Sequence, residues 1–255
     1  KLIGNRHFYA RVVAIVVPII VQQLVTNIVN LLDNVMVGRV GTLEMSAVAI
    51  VNQLIFIFNL CIFGGLAGAG IFSTQYAGAK DYEGVRYCFR VKFVISVLMF
   101  ALSLLVFLQF ANPLITMYFA EDTTAAEAAT TLAHATNYLK VMLWGLLPFA
   151  ISMMFASTLR EMGETRLPMI ASVVAILVNL TFNYLLIFGH FGFPKLGVTG
   201  AAIATAMARY VEMLIIIIVT VIKRKKYVFI QGAFKSLYVP KLLCKQVFTK
   251  GAPLL

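Results

Sequence analysis

Six long stretches of apolar sequence with few or no formal charges leave this chain few ways to fold. A straight helix needs about 20 residues to cross ~30 Å of hydrocarbon. Six runs or near-runs approach or exceed that length: Val12 to Leu32, Met45 to Ala79, Phe93 to Ala120, Val141 to Leu159, Leu167 to Pro194, and Leu196 to Ile222, the last interrupted by Arg209 and Glu212. Backbone in hydrocarbon must satisfy its own hydrogen bonds, so such runs become helices. Only 12% of the 255 residues are charged, with a mean hydropathy of +0.93, against about a quarter charged in soluble domains. A soluble globule, a disordered chain, a coiled coil and collagen are excluded. The chain is read as an all-α membrane protein with six transmembrane helices, at approximately 12–37, 46–72, 90–112, 137–159, 167–190 and 197–222, followed by a basic segment, 223–255. The second run exceeds one span, so its helix is expected to continue to a turn at Gly78.

The net charge of +11 is carried mostly in short segments between the runs. Three Lys or Arg precede the first span, four lie between the second and third, two between the fourth and fifth, and eight follow the sixth; the opposite side has only Arg39 and Lys195. This asymmetry places both termini in the cytoplasm and excludes dual topology. The basic residues then meet anionic lipid head groups, and nucleic acid is not expected as a partner. The tail from Lys223, with Tyr227, Phe229, Phe234 and Tyr238 among its lysines, is expected to lie along the inner leaflet as an interfacial helix.

Polar residues that a lipid-facing helix would not keep mark the interior. Gln22, Thr26, Asn30 and Asp33 fall within a sector of about 80° at 100° per residue. Interhelical hydrogen bonding and a wet cavity both explain the amides. Asp33 carries the functional reading, because an ionised carboxylate is costly in hydrocarbon and intramembrane acids mark ion or proton sites. It also lies about 30 Å along the helix from the inner side, so an outer-interface position is its other reading. The fifth span repeats the pattern with Ser172, Asn179 and Asn183. In the sixth, Thr205, Arg209 and Glu212 share a face, where Arg209 and Glu212 either neutralise each other or take part in transport. Asn52 and Asn59 form a stripe on the second span. Gly64, Gly65, Gly68 and Gly70 favour close helix packing, and Pro18 and Pro148 favour kinks. Three widely spaced cysteines make neither a disulfide framework nor a zinc site. The sequence contains no GxSxG, Walker lysine loop or HExxH, so no enzyme, catalytic residue or cofactor is expected.

Several segments carry a family resemblance. Leu31 to Ala49, LLDNVMVGRVGTLEMSAVA, is similar to the first-helix end and following loop of the MATE (multidrug and toxic compound extrusion) transporters, in their DinF-like branch. Ser73 to Asp81, STQYAGAKD, resembles their inner loop, and Leu159 to Met169, LREMGETRLPM, resembles the turn between helices four and five. NLTFNYLLIFG at Asn179 to Gly189 and GVTGAAIAT at Gly197 to Thr205 resemble the fifth and sixth helices. Their order and spacing match the amino-terminal half, so the resemblance implies that residues 1–222 form one six-helix lobe of a MATE-type transporter. It also implies export of varied, often cationic organic compounds by alternating access, coupled to H+ or Na+, in a bacterial-type plasma membrane.

Carried over by residue, the resemblance puts the coupling network on Asp33, Asn179 and Thr205. Asn183 stands where several relatives have a second Asp; it can ligate a cation but cannot take up a proton at working pH. A Na+ site would use Asp33, Asn179 and Asn183, while Gln22, Thr26, Asn30, Asn52, Asn59, Ser172, Arg209 and Glu212 would line the cavity. The end, VFTKGAPLL, resembles the start of a seventh helix, so a carboxy-terminal lobe in cis is expected as partner, with a second half-transporter as the alternative. Rival functions are a lipid-linked precursor flippase of the same superfamily and a non-transporting membrane scaffold.

Overall fold

The structure is a computed structural model describing residues 6–119, 124–236 and 238–251. Its helices are α1 (Arg6–Gly38), α2 (Thr42–Gly78), α3 (Tyr82–Thr116), α4 (Ala125–Glu161), α5 (Arg166–Phe188), α6 (Gly197–Ile222) and α7 (Lys241–Gly251). Among the described residues, α1 to α6 contain the six segments long and apolar enough to cross a membrane. Several helices overrun the charge-free runs for local reasons. The Asp81 side chain caps α3 by accepting from the Glu83 and Gly84 amides at 3.1 and 3.0 Å. Thr124 and Glu127 close a capping box on α4, which starts α4 well ahead of its apolar run. The helices α1 and α4 continue through Pro18 and Pro148. The backbone instead leaves helical angles at Phe110 (φ −116°, ψ 18°), three residues before Pro113, where proline's ring crowds the preceding turn.

Helices α2 and α4 form the middle of the lobe, with Phe58, Ile62, Leu139, Met154 and Leu159 almost wholly buried. Small residues permit close approach: a Cβ on Gly200 would lie 2.6 Å from the Leu186 carbonyl oxygen, which holds α6 tightly against α5. By contrast α1 lies at the edge, with Val13, Val17, Leu24, Ile28 and Leu31 exposed along one side.

At the end of the bundle bearing the basic connections, polar groups are paired inside. Lys92 is fully buried; its ammonium donates to both Glu161 carboxylate oxygens at 2.6 Å and to the Ser157 and Thr158 hydroxyls at 3.1 and 3.3 Å. A Cβ on Gly70 would stand 2.8 Å from Glu161 Oε1, so glycine leaves the room in which this pair fits.

The tail does not form one continuous interfacial helix from Lys223: only its later part, α7 (Lys241–Gly251), is helical, and α7 buries Leu243 and Val247 against the lobe. Residues after α6 fold back as turns, with a 3₁₀ turn at Val228–Ile230, and bury Tyr227, Phe229 and Ala233. Aromatic packing and a guanidinium outcompete the membrane surface. Phe229 packs on Phe89 at 5.2 Å, and Arg90 donates to the carbonyls of Ala233, Tyr238 and Gly232 at 2.8, 2.9 and 3.0 Å, satisfying backbone groups that a helix would otherwise pair. In the α4–α5 turn, Glu164 accepts from Lys226 and from the Tyr227 hydroxyl. Burial pushes its carboxyl up, but these bonds outweigh burial and hold it below its ordinary 4.5.

Two outcomes follow from these contacts. Glu161→Ala strands an unpaired buried ammonium and should lower stability by about 3–5 kcal/mol, while Lys92→Met combined with Glu161→Leu should recover most of that loss; thermal unfolding of the detergent-solubilised protein measures both. The Glu164 contribution is complete above the carboxyl's ordinary 4.5 and is lost as acid takes the pH down through its lower folded value. Glu164→Gln should therefore flatten the pH dependence of tail docking below pH ~5, read by proteolysis between Lys223 and Lys235.

Candidate functional site

The polar faces of α1, α5 and α6 converge within the bundle. Five residues from the end of α1, Asp33 meets the buried Asn183 of α5, whose amide donates to the carboxylate at 2.6 Å. One α-helical turn away, Asn179 donates to the Thr205 hydroxyl at 3.2 Å and accepts from Asn183 at 3.2 Å. Turned over, the Asn179 amide instead donates to both Asp33 oxygens at 3.2 and 3.1 Å while its carbonyl accepts from Thr205 at 3.2 Å. A carboxylate can only accept when ionised, so it favours the second orientation. The Asn183 carbonyl oxygen is buried without a hydrogen-bond partner. In the same pocket of side chains there is thus one carboxylate and one unused carbonyl, both hard oxygen donors.

A second layer lies nearer the basic end. Gln22 of α1 donates from Nε2 to Ser172 Oγ at 2.6 Å, Ser172 donates to Glu212 Oε1 at 2.5 Å, and Arg209 faces Glu212 Oε2 at 3.5 Å. The Arg209 guanidinium also sits 4.7 Å over the Phe149 ring. A cavity of about 110 Å³ joins the two layers and is lined by Thr26, Asp33, Ser172, Asn179, Thr205 and Glu212, among others. A second cavity, of about 320 Å³, also reaches Asp33, Thr205 and Arg209 and is lined by Asn52, Asn59, Tyr138 and Asn183.

The structure therefore brings Asp33, Asn179, Asn183 and Thr205 together, and places Gln22, Thr26, Ser172, Arg209 and Glu212 in the adjoining layer. Asn52 and Asn59 share a cavity with Asp33 but not the hydrogen-bonded cluster. The Asn30 side chain lies outside the described residues. Sequence reading missed Tyr138, buried on the cavity wall, because a single Tyr in an apolar run gives no positional signal. It also missed the Lys92–Glu161 pair, whose members were counted with the charges of connecting segments.

A model of the MatE family matches residues 18–185. The chain is 29% identical over 245 residues to a probable multidrug resistance protein NorM of Halalkalibacterium halodurans, covering 94% of this chain and 51% of that protein. It is 31% identical over 190 residues to a NorM of Rhizobium meliloti, covering 74% and 38%. A solved structure described as the outward-facing conformation of a multidrug resistance MATE family transporter of the MOP superfamily superposes with a TM-score of 0.82 at 21% identity, over 96% of this chain and 51% of that one. The chain thus spans about half the length of these relatives.

The bond between Asp33 and Asn183 has a measurable consequence. In a double-mutant cycle of Asp33→Asn and Asn183→Leu, thermal unfolding should give a coupling of about 1.5–3 kcal/mol, the range for hydrogen bonds to charged groups.

Proposed function

Because the chain belongs to the MatE family, whose members are transporters rather than enzymes and need no cofactor, we propose that its six helices are one lobe of a cation-coupled multidrug efflux antiporter. The protein is an integral membrane protein; in this reading it lies in a bacterial-type plasma membrane with both termini cytoplasmic. A second lobe, in cis or from another half-transporter, completes the translocation path.

One observation carries the reading: Asp33, in a membrane-crossing helix, is held by amides beside the unpaired, buried Asn183 carbonyl and opens onto two cavities. Deprotonated Asp33 attracts either a Na+, shared with the Asn183 carbonyl and, once the Asn179 amide is turned back, with the Asn179 carbonyl, or a cationic organic compound. Uptake of H+ or Na+ cancels that charge and disfavours retention of the compound. Coupling arises because the loaded and empty sites differ in their affinity for the two lobe conformations. Thr205 bonds Asn179 in either amide orientation. The flippase reading finds one cation lining these cavities, Arg209, and a phosphate there would have to share it with Glu212, which faces it at 3.5 Å.

The test is ethidium flux in proteoliposomes containing the intact transporter, with H+ and Na+ gradients imposed separately. Asp33→Asn should reduce gradient-driven flux by at least tenfold without loss of folded protein. Flux at the parental rate would remove Asp33 from the coupling step.

A further inference from the structure

Thr26 borders two cavities: the one containing Asp33, and a larger one of about 730 Å³ towards the basic end, lined also by Gln22, Gln23, Thr74, Arg160 and Glu161. Between them runs the chain from Gln22 through Ser172 to Glu212, which ties α1, α5 and α6 together with bonds of 2.6 and 2.5 Å. Gln22 faces the larger cavity, while Glu212 and the buried Ser172 line the smaller, so the Gln22–Ser172 bond stands where the two adjoin.

We propose that Glu212 is a second proton-loading carboxylate, and that the Gln22–Ser172–Glu212 chain is a partition that opens when Glu212 is neutralised. This deepens the antiporter reading and rests on it. A serine hydroxyl has one hydrogen, and here it is directed at Glu212 while the oxygen accepts from Gln22. A charged acceptor makes that bond roughly twice as strong as a neutral one. When a hydronium ion from the aqueous side transfers its proton to Glu212, no other covalent bond changes, but Ser172 loses its charged acceptor. The polar tie between α1 and the α5–α6 pair then weakens. The charged groups facing Glu212 are Arg209 on its own helix, Arg160 on α4, and Asp33 across the small cavity from α1. Asp33 and Glu212 consequently load at different depths: Asp33 lies about 16 Å further along α1 than Gln22. Loading one need not displace the partner of the other.

Ala175 lines the small cavity and not the larger one, so a thiol introduced there reports whether the partition is open. In the intact transporter with Cys61, Cys88 and Cys244 replaced by Ser, Ala175→Cys should react slowly with a charged, membrane-impermeant methanethiosulfonate added from the basic side at pH 7.5. The rate should rise at least fivefold at pH 5.5, although acid lowers intrinsic thiol reactivity. Glu212→Gln should make labelling fast at both pH values. Ser172→Ala, which leaves Glu212 intact, should do the same. Slow, still acid-accelerated labelling in either variant overturns the inference. Acid acceleration should persist in Asp33→Asn; if it vanishes there, Asp33 is the sensor, and the inference fails while the proposed function stands. Loss of flux in Asp33→Asn bears on the proposed function alone.

Discussion

Polar side chains inside a bilayer have no water to fall back on, so their partners have to be supplied by neighbouring helices. In this lobe that requirement bears hardest on α1. Its apolar side chains are largely exposed along one face, so apolar burial fixes it weakly. Its firm attachments are polar: Gln22 to Ser172, and Asp33 to Asn183. A helix held in this way can shift when the charge of its partners changes, whereas a helix held by packed aliphatic residues responds to charge very little. The residues that anchor α1 are also the residues that line the cavities, which joins attachment to chemistry.

The basic end follows the opposite logic. Lys92 and Arg90 are both buried, and each is consumed by fixed acceptors: Lys92 by Glu161 and two hydroxyls, Arg90 by three backbone carbonyls. Removing such a charge is costly, and neither position faces Asp33. Their work is to fix the α3–α4 contact and to fold the tail back on α3. The tail is thereby held at a defined place on the lobe, and any segment that follows it starts from a fixed anchor.

Much of this was legible in the sequence, because hydrocarbon imposes length and charge rules that a soluble fold does not. The six helices follow from apolar runs, and the polar faces containing Gln22, Asp33, Ser172, Asn179 and Asn183 follow from helical periodicity. The convergence of those faces was not derivable from periodicity, which gives an angle on one helix and says nothing about which neighbour it meets. The family resemblance supplied the grouping of Asp33 with Asn179 and Thr205. Charges near span ends were the weakest point. Lys92 and Arg160 look like interfacial lysine and arginine when counted by position, yet Lys92 is fully enclosed, since its acceptors lie almost 70 residues away in the chain. The tail misled for a related reason: lysines interleaved with aromatics fit a membrane surface, but the same aromatics fit Phe89 and Phe93 better.

Asn183 determines what kind of switch the Asp33 cluster can be. A second acid there would let two carboxylates share a proton, with the two titrations interlocked. An amide cannot titrate, so the local charge changes by one when Asp33 is loaded, and the response has to come from hydrogen bonding. The Asn179 amide is suited to give it. With Asp33 ionised, both Asp33 oxygens are met by the Asn179 NH2 while the Asn179 carbonyl accepts from Thr205. One amide on α5 thus links the acid of α1 to the hydroxyl of α6. That link runs through α5 and α6, the same two helices that hold Ser172 and Glu212, so both layers of the site are built on one helix pair.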